Sequence, residues 1–409
     1  MGKKKKKDSD FNIGFVHFSS EERNKVKAAL RSLEEPGSTD ELGIGRIRDA
    51  FADLMFPGIT TLQHHAKYFV VLPQLYYSVA QQKGYRDFTE VKKEVFRLER
   101  ELTEALLKGN PNTIGITGST RYKDEDFVTQ DPTYIYWTGM VRFGIAKKSD
   151  SPYRQIFNYS SSLNEDDGAA GDDTSPNINS FFCDLPDKST IFEKKGKIND
   201  IISLKLNRIE AEFLKKHICS SEGTKDSLLA FLLANDNIKK KDFLTFKLSS
   251  KNKKINEQLI LAQKFTRFIY PIHLRYNYLF AQKSNGDPNY WEEKFDNALK
   301  YSNDVYNQKT LDSIFYCING KLNDNGAKNF CQRILKCIKS KKMKQLDKEI
   351  INRELSVSKG RKNNPSPPKL SHPETYTFYP VHNHMLTYRW DTAWEIIQAI
   401  RMGLGVNNG

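Results

Sequence analysis

The sequence predicts a mainly α-helical protein, a helical two-domain chain with a small winged-helix-like α/β portion. Three observations carry that expectation. Apolar residues recur every three or four positions between capping residues, which is the spacing that gives a helix one buried face. Residues 112–148 break this rhythm with glycines and close on a Phe-Gly-Ile exit. Residues 159–176 turn to Ser, Gly, Asn and Asp, a composition that marks a linker or long surface loop. The expected division is a basic disordered tail over 1–10, a helical and winged-helix-like domain over 11–158, the acidic linker over 159–176, and a helical domain over 177–409.

Taken in order, Ser19-Ser20-Glu21-Glu22 forms a capping box ahead of Val26, Ala29, Leu30 and Leu33, and Pro36-Gly37 stops that helix. Asp40 caps the next, whose Ile44, Ile47, Phe51 and Leu54 share a face until Pro57-Gly58. Thr60 or Thr61 opens a third helix, and Pro73 within it predicts a break or kink. Thr89 starts a fourth, which carries Val91, Val95, Leu98, Leu102 and Leu106 to a stop at Gly109.

Ile114 to Gly118 reads as a glycine-punctuated extended piece. Asp131-Pro132 supplies an N-cap and a first-turn proline for a helix over Thr133 to Phe143. A helix followed by Gly144-Ile145 and a hairpin over Ala146 to Phe157 is the winged-helix pattern, in which wing lysines touch phosphate. Tyr134, Tyr136 and Trp137 equally suit a buried aromatic helix.

Past the linker, Ile201 to Leu214 form an apolar series that becomes helical, and Ser227 to Leu233 is a short buried segment. Phe265 to Phe280 is a strongly apolar helix interrupted by Pro271, with Arg267 and Arg275 protruding. Residues 291–347 hold three amphipathic helices, the last very basic from Lys336 to Lys344. The end of the chain is a helix from Asp391 to Gly403.

Of 409 residues, 38% are hydrophobic, which is enough for packed cores. The net charge of +14 favours a polyanionic partner such as nucleic acid over a merely lysine-rich solvated surface. Five scattered cysteines without a CxxC pair read as reduced thiols. No apolar run approaches the ~20 residues that span a bilayer. A cytoplasmic protein with no membrane partner is expected.

No phosphate-binding loop, HExxH or GxSxG pattern occurs. Gly43-Ile44-Gly45 lacks the strand and third glycine of a nucleotide loop, so these glycines are read as permitting a close approach. His64 and His65 are read as partly exposed helical histidines that cannot share a metal. His382 and His384 would share a face of a strand over Tyr379 to Met385, with His372 as a third ligand, but no fourth is supplied. Asp124, Glu125 and Asp126, with Asp131, read as a solvated acidic turn leading to an N-cap. No metal and no cofactor is expected. Basic residues interleaved with aromatics remain, a mixture that suits phosphate contact and stacking. These nucleic-acid-binding candidates are Arg46, Arg48, Arg121, Lys123, Arg142, Lys147, Lys148 and Arg389.

The stretches DELGIGRIRDAFADLMFPG, IYWTGMVRFGI, RFIYPIHLRYNYLFAQ and YRWDTAWEII resemble an uncharacterised bacterial family of unknown function. The resemblance implies a place in anti-phage defence loci, beside helicase or ATPase proteins and phospholipase-D-like nucleases. It carries over no catalytic residue. The expected function is therefore a non-enzymatic DNA-binding or adaptor subunit. A metal-dependent nuclease with an unfamiliar site and a purely protein-binding scaffold are the alternatives.

Overall fold

The computed structural model describes residues 40–82, 84–120, 131–147, 151–165, 182–186, 191–193, 197–248, 252–321, 325–360 and 367–406. The capping box at Ser19, the acidic turn at Asp124 to Asp126, the candidates Arg121, Lys123 and Lys148, and most of the expected linker lie outside them.

Thirteen α-helices occur among the described residues. They are α1 (Gly45–Met55), α2 (Tyr68–Ala80), α3 (Phe88–Gly109), α4 (Pro132–Arg142), α5 (Pro152–Glu165), α6 (Arg208–Ser220) and α7 (Leu228–Ala234), followed by α8 (Lys253–Lys283), α9 (Pro288–Tyr301), α10 (Gln308–Cys317), α11 (Asn325–Lys339), α12 (Met343–Lys359) and α13 (Trp390–Gly403). Buried apolar side chains from Leu42 to Ile400 form one cluster, so residues on both sides of 159–176 share a core.

The spine is α8, 31 residues and roughly 46 Å long. Asn252 caps it, and α1, α9, α10 and α12 pack along it. Pro271 does not interrupt it, contrary to the sequence expectation. The ring is buried among neighbours that hold both halves of the helix in line, which outweighs one missing N–H. Pro73 likewise lies inside an unbroken α2, every residue from Tyr68 to Tyr76 being buried.

The winged-helix-like α/β portion is not found. No strand occurs among the described residues, only isolated bridges between Ala146 and Phe182 and between Phe192 and Ile198. Gly144 takes φ +70°, and Ile145 and Ala146 both donate their N–H to the Met140 carbonyl, which caps α4 instead of launching a hairpin. Where the wing was expected, Pro152 starts α5. Tyr153, Ile156 and Tyr159, three apart, bury one face of α5, which packs against α2 and α3.

Other local expectations also give way. The Gln63 side chain accepts from Thr60 N–H and donates to the Ile135 carbonyl, which holds 60–63 as a turn and delays α2 to Tyr68. His64 and His65 therefore lie in irregular chain ahead of α2 and are not helical. Residues 114–118 form turns, with Gly115 and Gly118 at positive φ. Residues 379–385 form no strand, and His382 sits at φ +48°. Helix α12 was not expected at all, because Arg353 and Glu354 occupy two of its buried positions.

Candidate nucleic-acid interface

The opening motif is positioned by charge pairs that arrive from the far end of the chain. Asp40 accepts from the N–H groups of Ile44 (2.9 Å) and Gly45 (2.7 Å), supplying the cap that α1 lacks at its own N-cap residue. Arg353 of α12 donates to the carbonyls of Leu42 (2.8 Å) and Gly43 (3.3 Å). Lys369 pairs with the buried Glu41. Glu354 accepts from Tyr276 and from the N–H groups of Lys369 and Leu370, so the loop carrying Lys369 is itself held.

Both glycines of Gly43-Ile44-Gly45 now have a reason. A Cβ on Gly43, at φ +61°, would lie 2.6 Å from Arg353 Nη2, and one on Gly45 would lie 2.8 Å from Asp40 Oδ2. They admit the two side chains that fix the start of α1.

Arg46 and Arg48 leave α1 in different environments. Arg46 is exposed, whereas Arg48 is half-buried with its Nε 3.3 Å from Asp49 Oδ1. Arg389, at φ +66° before α13, donates to Asp53 (2.8 Å) and to the Ile59 carbonyl (2.7 Å), and lies 3.8 Å from Asp49. Arg48 and Arg389 thus share Asp49.

Arg142 ends α4 and is exposed. Its backbone is fixed closely: Ser221 Oγ donates to its carbonyl at 2.8 Å, and a Cβ on Gly58 would lie 2.9 Å from Arg142 Cβ. Arg142 and Arg389 therefore both touch the Pro57-Gly58-Ile59 turn that ends the opening motif. Among the described residues no carboxylate pairs with the Arg142 guanidinium. Lys147 is exposed just beyond, and it and Lys216 of α6 both act electrostatically on Cys183. Lys216 was missed in the sequence because its proximity depends on how α6 docks.

Two further polar groups lie in the core. His273 of α8 is fully buried and stacks on His382 with ring centroids 4.8 Å apart. Neither His273 ring nitrogen has a hydrogen-bond partner among the described residues. Burial, then His382, then Arg48 hold its imidazole well below the usual range, so it is neutral. The three histidines weighed as a metal set lie apart: His372 pairs with Glu374 and is exposed, as is His384, while His382 turns to His273. Among the described residues no three His, Cys, Asp or Glu side chains are grouped to hold a metal ion.

The second group is a carboxylate pair at the start of α4. Asp131 accepts from Tyr134 N–H (2.6 Å), as its N-cap role predicts, and Glu99 Oε1 accepts from Thr133 N–H (2.8 Å) and its hydroxyl (2.5 Å). Burial and then Asp131 push the Glu99 carboxyl well above the ordinary range, and burial raises Asp131 to about 6. Both carboxylates serve the helix end; neither was legible as part of a pair, since Glu99 sits mid-helix in an unremarkable charge pattern.

The fold and these groups define an all-helical protein, as far as it is described, with the exposed Arg142 beside the Pro57-Gly58 turn and the exposed Arg46 at the start of α1. Residues 11–308 match the family of unknown function DUF6361, and the chain belongs to that family. The motif at Tyr388 to Ile397 lies beyond the matched residues. No curated protein and no solved structure matches the chain. No helix among the described residues is long and apolar enough to cross a membrane.

Proposed function

We propose that this chain is an accessory nucleic-acid-binding or adaptor subunit, without catalysis of its own, in a multi-protein bacterial anti-phage defence system. It would act beside helicase or ATPase and phospholipase-D-like nuclease proteins, with DNA as the favoured nucleic acid. The observation that supports this most is the exposure of Arg46, on a helix start held by Asp40 and Arg353, and of Arg142, whose backbone is held by Ser221 beside the Pro57-Gly58 turn, in a chain of net charge +14. The planar guanidinium fork loses less freedom per hydrogen bond to phosphate than an ammonium does. The defence context draws on the resemblance of the motifs.

An electrophoretic mobility series on duplex and single-stranded DNA, begun at ~50 mM salt where counterion release most favours binding, tests the reading. A shifted band that fades as salt rises is expected. No shift at the lowest salt, with protein at tens of micromolar, would remove direct DNA binding.

A further inference from the structure

Between residues 325 and 346 the chain carries Lys328, Arg333, Lys336, Lys339, Lys341, Lys342 and Lys344, and no carboxylate. The structure gathers most of that charge at one place, the tip of the hairpin formed by α11 and α12. Ala327, Phe330, Cys331, Ile334 and Leu335 turn the apolar face of α11 inward, which leaves Lys336 and Lys339 exposed. Lys341 takes φ +52°, and Lys342 N–H returns to the Cys337 carbonyl at 2.9 Å, so the turn between the helices is tight. Lys341, Lys342 and Lys344 are exposed on it.

The next carboxylates in sequence are already taken. Asp347 receives both arms of Arg275, at 2.7 and 2.9 Å, and Glu349 receives Arg333 at 2.7 Å. Among the described residues no carboxylate pairs with Lys336, Lys339, Lys341, Lys342 or Lys344.

Local stability does not account for this arrangement. Lysines in the last turn of α11 suit the negative end of its dipole. The start of α12 does the reverse: Lys342 is its N-cap residue, no side chain caps it, and its first turn holds Lys344 and no acid. A cation there opposes the helix dipole, and Ser, Thr, Asp or Asn would stabilise it. Five cations within nine residues, from Lys336 to Lys344, also repel.

We propose that this hairpin tip is a second contact surface for the phosphate backbone of duplex DNA, separate from Arg46 and Arg142; the inference rests on the nucleic-acid reading above. Lysines as point charges suit backbone contact without base recognition. The two surfaces are mechanically joined by α12. Arg353, which grips the opening motif, lies ten residues from Met343, roughly 15 Å along the helix axis. That is less than half of the ~34 Å turn of a duplex, so one DNA segment is long enough to reach from the tip to the start of α1, where Arg46 lies.

The test uses the full chain and a fluorescent duplex of about 30 base pairs, with affinity followed by anisotropy across a salt series. The variant carries Lys336→Gln, Lys339→Gln, Lys341→Gln, Lys342→Gln and Lys344→Gln; a second carries arginine at the same five positions. The glutamine variant is expected to reduce the slope of log Kobs against log salt by about 4, with the arginine variant keeping it. Wild-type binding with an unchanged slope in a folded glutamine variant would overturn the hairpin surface and leave the nucleic-acid reading standing. No wild-type binding at any salt would overturn both. Binding to phosphatidylserine-containing vesicles but not to DNA would give the tip to a lipid surface and overturn the proposal.

Discussion

Arg389 and Asp53 lie 336 positions apart, yet their side chains meet at 2.8 Å, and the same guanidinium nitrogen donates to the Ile59 carbonyl at 2.7 Å. The contact ties the end of the opening motif to the start of the last helix. It also gives Arg389 an internal task, whereas Arg46 and Arg142 are exposed.

Arg389→Ala should lower stability by about 2 kcal/mol, because it strips a half-buried carboxylate and a carbonyl of charged donors together. Arg389→Lys should recover part of that, since one ammonium cannot reproduce the spread of the fork. Urea unfolding of both variants measures it. A wild-type midpoint for Arg389→Ala would mean that the pair contributes nothing.

Glu99→Gln should stabilise the protein at neutral pH. The folded-state carboxyls of Glu99 and Asp131 both titrate above their unfolded values, Asp131 at about 6. The folded form therefore holds more protons than the unfolded chain, and stability falls as pH rises from about 4 through that range. An amide at position 99 still accepts from Thr133 through its oxygen and carries no charge. Its melting temperature should exceed wild type at pH 7.5 and vary less between pH 4 and 7. A lower melting temperature at pH 7.5 would contradict the pair's assignment.

His273 predicts the opposite slope. A buried base whose folded pKa is depressed takes up fewer protons than it does unfolded, so stability is lost as pH falls below about 6.5. His273→Phe keeps a flat ring against His382 and removes the titration. Thermal melts at pH 5.5 and 8 should show the variant gaining on wild type at the lower pH only. An equal difference at both would assign the change to packing.

Helix content was legible wherever capping and apolar period agreed. Asp40, Asp131-Pro132 and the stops at Gly109 and Gly403 stand where the residues indicated. The errors share a cause, which is that tertiary contacts outrank local signals. Pro73 and Pro271 lost to burial on all sides, Thr60 to the Gln63 side chain, and the expected wing to the packing of Tyr153, Ile156 and Tyr159. Of the candidate residues, Arg46, Arg142 and Lys147 are exposed, while Arg48 and Arg389 are drawn onto Asp49 and Asp53. Their carboxylate partners lie one to 336 positions away, and nothing in a linear reading ranks such pairings.

Gly43→Ala should cost about 2 kcal/mol or more, through a positive φ and the approach of Arg353 Nη2 at 2.6 Å. Chemical denaturation reads the loss. Gly84, also at positive φ but with nothing within 4 Å, is the control for backbone strain alone, and Gly84→Ala should cost less.

Contact with nucleic acid through two exposed arginines, Arg46 at the start of α1 and Arg142 beside the Pro57-Gly58 turn, is the core of the proposed function. Its most direct test is the salt dependence of duplex binding by an Arg46→Gln, Arg142→Gln variant that melts like wild type. The slope of log Kobs against log salt should fall by about 2, at ~0.9 per lost phosphate contact. A slope equal to wild type would contradict the claim.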